Sequence, residues 1–273
     1  MRILVYGEPR VDNLDAQELA SYLARLCPWA EVELRPEFVT YCLERLPAEE
    51  REFRLDDLAR AWAGARLAPS GARREAPLPV EVAYERRRLT DLSGRALGVL
   101  YHGPAVMAAL RELIPPADRT WGHLHLVLTN QLLATADPGG RYHCRVAIFG
   151  YPCLISTSGA VEAPAKPRAY YLAKQYGTWL GPGAELAAYK VLDPQSYLDY
   201  GDPRLTEVLK GFAAQAVAYH LTGQPFCSDP DCRLFNPHWQ EEMLRAQLFS
   251  PYEFCPAHRE WFYRGPQEKG HFG

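Results

Sequence analysis

The sequence predicts an α/β protein, with a sheet-bearing N-terminal part over residues 1–200 and a helical C-terminal part over residues 201–273. Three observations carry this. Short β-rich apolar runs alternate with amphipathic runs over residues 1–160, the pattern of a mixed sheet covered by helices. Helix signals dominate after residue 201. The 273 residues are 48% hydrophobic and 23% charged, which suffices for a sizeable core without disulfides.

Residues 2–6 read as a buried strand. Asp15 then caps a helix, and Glu18, three residues on, completes a capping box. Leu19, Tyr22, Leu23 and Leu26 form that helix's apolar stripe, and Pro28 follows its end. Ala30 to Leu34 alternates as a strand. Residues 48–67 form a charged amphipathic helix, and residues 68–79, with Pro, Gly and Ala, a surface loop. Leu97 to Tyr101 is a strand, Pro104 to about Leu113 a helix stopped by Pro115-Pro116, and Leu124 to Leu128 a third strong strand. Asp137-Pro138-Gly139-Gly140 is a turn. The β-rich runs after it, Tyr142 to Phe149 and Cys153 to Ser156, form a hairpin or meander. Residues 160–200 carry many Pro, Gly and Tyr and read as irregular. Asp202 caps the next helix, with Pro203 at its first position. Leu205, Val208, Leu209, Phe212, Ala216 and Val217 make its buried face and Gly223 its C-terminal cap. Asn236-Pro237 opens a last helix to about Phe249.

The net charge of -3 argues against a nucleic-acid partner. No apolar run is long enough to span a bilayer, and the N-terminus is too short and strand-like for a secretory signal. The expectation is a cytoplasmic protein with no membrane partner.

The seven cysteines divide into two groups. Cys27, Cys42, Cys144 and Cys153 lie in apolar or strand-like surroundings, as small buried hydrophobes do in a reducing compartment. The others follow the pattern Cys227-x4-Cys232-x22-Cys255-x2-His258. Two short ligand pairs on tight turns, separated by a helix-sized insert, suit one tetrahedral Zn2+. Four protein ligands leave no open position, so the ion is expected to be structural. Isolated thiols, or a disulfide plus a spare cysteine, is the alternative, and the two-pair spacing favours zinc over it. His238 is a substitute for His258, but it lies on the intervening helix.

Residues 205–262 resemble the archaemetzincins, a family of zinc metallopeptidases. That family carries a helix with an HExxH motif, a glycine, a third histidine beside a cysteine, then C-x-M and a distal C-x2-C. Here Ala216-Val217-Ala218-Tyr219-His220 stands at the HExxH motif, followed by Gly223, Phe226-Cys227, Cys232-Arg233-Leu234 and Cys255-Pro256-Ala257-His258. Leu126 to Asn130, Ala147 to Gly150 and Leu154 to Thr157 look like the strands at the family's active-site edge. The resemblance implies a metzincin-like fold with the structural zinc kept. It also implies a lost peptidase centre. Catalysis there needs three histidines on zinc and a glutamate base, and only His220 and Gly223 survive.

His220 is most simply a satisfied helix histidine and otherwise a weak catalytic candidate. His123 and His125 share one strand face and can join a second metal site if His102, His143 or His220 completes it; a strand start with ordinary polar residues is the plainer reading. Arg86-Arg87-Arg88 with Arg73-Arg74 reads as a solvated surface before an anion patch. Tyr170, Tyr171 and Trp179 read as packing before a cleft lining. The expected function is non-catalytic binding of a peptide or protein in the former active-site cleft. The alternative is a zinc-dependent metallopeptidase or other hydrolase using relocated ligands.

Overall fold

The computed structural model describes residues 1–68, 76–93, 98–137, 139–181 and 193–265. Strand β1, Arg2–Tyr6, lies inside a five-stranded sheet of order β2-β1-β4-β8-β7. It pairs in parallel with β2 (Glu31–Arg35) and β4 (His123–Thr129). β4 pairs in parallel with β8 (Cys153–Ser156), and the antiparallel β7 (Ala147–Ile148) closes that edge. A second sheet runs β3 (Leu100–His102), β5 (Leu132–Ala136), β6 (Tyr142–Arg145), with β5 and β6 antiparallel.

Alternation along β1 explains the layering. Ile3 and Val5 join one core and Leu4 and Tyr6 the other, all fully buried. The first core takes α1 (Ala16–Leu26), α8 (Leu205–Thr222) and Phe262 of α10 (Pro256–Arg264). The second takes α2 (Phe38–Glu44), α3 (Ala48–Gly64) and α5 (Gly103–Arg111). Burying Leu19 or Leu23 of α1 contributes about 1.5–3 kcal/mol each. The six residues expected on the buried face of α8 are all buried. Among the described residues no helix is long and apolar enough to cross a membrane.

Several elements depart from expectation. Asp15 caps α1 by accepting from the Glu18 amide at 2.8 Å, but the reciprocal half of the capping box is absent. The Glu18 carboxylate accepts instead from Lys210 of α8 at 2.8 Å, and the Asp15 amide donates to Thr206. The packing of α8 on α1 supplies these partners. Helix α4 (Pro79–Thr90) follows the expected loop, of which 69–75 lie outside the described residues. It shows no apolar stripe because charge pairs hold it. Fully buried Glu85 accepts from Arg66 at 2.7 Å, Arg88 at 2.8 Å and the Tyr101 hydroxyl at 2.8 Å. Arg86 donates to Asp56 at 2.7 Å and to Glu52. Arg86 and Arg88 are thus neutralised; Arg73 and Arg74 lie outside the described residues.

Residue Leu97 also lies outside them, and β3 begins at Leu100. Of the predicted turn, Pro138 is outside, while the Gly140 amide donates to the Asp137 carbonyl. The run 142–149 divides between two sheets: β6 pairs with the unforeseen β5, and β7 forms a hairpin with β8. The stretch expected to be irregular contains α6 (Thr157–Glu162) and α7 (Arg168–Leu180); residues 182–192 are outside. α8 starts after Arg204 because Asp202 uses its carboxylate to accept from the Arg204 amide and side chain. α9 (Gln240–Leu244) starts four residues after Asn236, capped by Glu242 reaching back to the His238 and Trp239 amides, and continues as a π turn to Phe249.

Candidate metal centre

Helix α8 ends at Gly223, whose φ of 74° closes the last turn with its amide on the Tyr219 carbonyl. The chain then folds back, and the Cys227 amide donates to the Leu234 carbonyl at 2.9 Å. Asp229 shapes the intervening turn by accepting from the Asp231 amide at 3.0 Å. It is braced by the Tyr252 hydroxyl at 2.6 Å, and Arg245 grips Asp231 through two nitrogens. The Asp229 amide points at the Cys227 sulfur, 3.4 Å away. Cys255 is the N-cap of α10 and His258 lies one turn inside it, on the same face.

These four residues meet. Their ligand atoms all lie within 4.8 Å of one another. His258 Nδ1 is 3.1 Å from Cys255 Sγ and 3.8 Å from Cys232 Sγ. Tetrahedral zinc, with bonds of roughly 2.0–2.3 Å, sets its ligands about 3.5–3.8 Å apart, so this set of three sulfurs and one nitrogen fits that ion. Burial raises the Cys227 and Cys232 thiols, the latter to about 12, and lowers His258. A neutral imidazole is the ligand form, and a cation would compensate thiolates that the dry site otherwise disfavours. His238 stands outside the cluster.

At the positions that the sequence resemblance sets against the HExxH motif and its neighbours, the side chains are apolar apart from His220. Ala216 and Val217 have 0% exposure, and Leu234 is buried. His220 donates from Nε2 to the Trp121 carbonyl at 2.8 Å, with burial lowering its pKa. Phe226 is half-exposed, its ring edge-on to Phe149 at 5.7 Å. Phe149 and Phe226 border a cleft of about 440 Å³ between the β6–β7 segment, α8 and residues 236–238. His143, Glu162 and His238 line it. Gln215, fully buried on α8, donates to the Phe235 carbonyl and leaves its own carbonyl oxygen unpaired. Spacing gives no sign of this lining, since sheet pairing and the turn after Leu234 assemble it.

His123 and His125 share a face as expected but serve a different network. His125 donates from Nε2 to the Asp118 carbonyl at 3.1 Å and accepts from the Tyr6 hydroxyl at 2.9 Å. Arg35 donates to Tyr6 and to the Asp118 carboxylate. His123 meets the same Asp118 carbonyl at 3.1 Å. Burial holds the His125 imidazole down to about 4. Of the possible third ligands, His220 is bound to Trp121 and His143 faces Asp137. Among the described residues, only the cysteine–histidine cluster gathers three or more ligand atoms at metal-binding distance. Tyr170 packs on Tyr197 and Lys166, whereas Trp179 is 82% exposed.

Residues 1–264 match the model of a family described as "Probable metallopeptidase family (DUF6775)". No curated protein matches. Among solved structures, the chain is similar to archaemetzincin from Methanopyrus kandleri, with 15% identity, 96% of this chain and 93% of that chain covered, and a TM-score of 0.45.

Proposed function

The chain belongs to this probable metallopeptidase family, and from that premise we propose that it is a non-catalytic member that binds an extended peptide or protein segment. Cys227, Cys232, Cys255 and His258 hold one structural zinc, which fixes the turn below the cleft. The ion supplies no reacting centre there, because four protein ligands close its coordination.

The observation that carries this reading is the buried, apolar turn of α8 at Ala216 and Val217. Activating water on zinc takes a second imidazole and a carboxylate base, and these positions offer methyl groups to the core. The cleft of about 440 Å³ is of ligand-binding size. Phe149 and Phe226 give it apolar walls, and the unpaired Gln215 oxygen can accept from a backbone amide after a small movement.

The test incubates zinc-loaded protein with fluorescently labelled casein and, separately, titrates it with labelled peptides from a casein digest. The reading expects no chelator-sensitive hydrolysis. It expects saturable peptide binding that Phe226→Glu weakens. Chelator-sensitive cleavage abolished by His220→Ala would replace it with the relocated-ligand hydrolase.

A further inference from the structure

A second cavity, of about 340 Å³, opens where the parallel strands β1, β4 and β8 end. The loop after β1 supplies Arg10, Val11 and Asn13, the residue after β4 is Asn130, and Thr157 and Ser158 follow β8. Val161 of α6 and Leu205 of α8 add an apolar wall. From β1 the chain turns to β2, while from β4 it continues towards β8, on the other side of the β1–β4 pair. The loops leaving these two neighbouring strands therefore diverge, and open α/β sheets bind ligands in the crevice that such a divergence leaves. The volume is within the roughly 300–1,000 Å³ of small-molecule sites.

The charges on this wall are already answered. Both oxygens of Glu8 accept from Arg10, at 2.5 and 2.8 Å. Asp199 lies 3.8 Å from Lys166, and Asp12 is exposed to water. Neither an anion nor a cation finds an unpaired counter-charge to offset its desolvation, so a neutral ligand is favoured. Two hydroxyl protons are committed as well: Thr157 donates to the Thr129 carbonyl at 3.4 Å and Ser158 to the Asn130 carbonyl at 2.6 Å. Two side-chain amides remain. Asn130 is 7% exposed; its Oδ1 accepts from Gln131, and among the described residues nothing accepts from its Nδ2. Asn13 donates from Nδ2 to the Asp202 carbonyl at 2.7 Å, and among the described residues nothing donates to its Oδ1. A buried amide nitrogen needs an acceptor, and an amide oxygen has lone pairs for a donor. A carboxamide carries acceptor and donor side by side on one planar, neutral group. We propose that this crevice binds a small neutral carboxamide, its carbonyl oxygen on Asn130 Nδ2, its N–H on Asn13 Oδ1 and its apolar body on Val161 and Leu205.

The test titrates the full chain calorimetrically with four probes that share one ring. Benzamide, benzoate and benzamidine differ in the charge of the head, and acetophenone keeps the carbonyl but lacks the N–H. Benzamide should saturate one site per chain in the millimolar range. Both ions should bind about tenfold more weakly or worse, because their charge is desolvated without a partner. Acetophenone should bind about three- to tenfold more weakly than benzamide, the net effect of one missing hydrogen bond. Asn13→Ala should bring benzamide down to the level of acetophenone and leave acetophenone unchanged. Val11→Trp, at a half-buried lining position, should abolish saturation with the melting midpoint retained. Failure of benzamide to saturate, either ion binding as tightly as benzamide, or Asn13→Ala acting equally on benzamide and acetophenone overturns the proposal. So does a folded Val11→Trp that still saturates, and the Asn13→Ala comparison decides the matter even if Val11→Trp does not fold.

Discussion

Cys232 is wholly buried, and its thiol is raised to about 12 by that burial, so its ligand form depends on a cation close by. A serine there offers a poor zinc ligand and a buried hydroxyl. Structural zinc contributes about 10–16 kcal/mol in small domains, against a total stability of roughly 5–15 kcal/mol for most proteins. Cys232→Ser is therefore expected to lower the melting midpoint and broaden the transition in thermal denaturation, and an unchanged melt would contradict this. His125 gives a pH dependence. Its folded pKa, about 4, is below the ordinary value near 6.5, so the folded state disfavours the proton. Stability is full above about pH 6.5 and is lost as pH falls towards 4, by about 3 kcal/mol. The drop in melting midpoint between pH 7 and 4.5 should be smaller in His125→Gln; identical drops would remove the explanation. At this scale the sequence reveals side chains that converge from local turns, such as Cys227 and Cys232. It does not reveal the partners of His125, because Tyr6 and Asp118 reach it through strand register.

Helices α1 and α8 were legible because an apolar stripe faces a core. α4 was not, since Glu85, Arg88 and Arg86 hold it through charge pairs that leave no apolar period. α6 was hidden for another reason: it is short and packs through small residues. Gly159 sits there so close to β6 that an added Cβ would collide with the Arg145 carbonyl oxygen. Gly159→Ala must push α6 off the sheet and should cost about 1–3 kcal/mol in a urea melt. Gly223→Ala meets no neighbour, and only its φ of 74° opposes it, so about 1 kcal/mol is expected. Equal costs for the two would mean that close approach does not set the position of α6.

Across the whole molecule, one core unites Ile3, Leu19 and Leu126 with Leu209, Phe212 and Phe262. Cross-links tie the chain's ends together. Lys210 joins Glu18, and the Trp29 indole donates to the Phe262 carbonyl at 2.8 Å. α8 is anchored by the sheet; residues 224–264 add Leu234, Met243, Leu244 and Phe254 to the same core, and under the proposed zinc they carry the cysteine–histidine tether as well. Chelation should therefore raise hydrogen exchange in 224–264 while β1 and β4 stay protected; uniform protection throughout would place no weight on the cluster. The alternation of strands and helices disclosed the fold class, but sheet membership of 142–149 required a break that composition does not mark. The most direct measurement of the central claim is zinc per chain by elemental analysis of the protein, of Cys232→Ser and of His220→Ala. The account expects one, near zero and one. Two ions per chain, with one lost in His220→Ala, would contradict it.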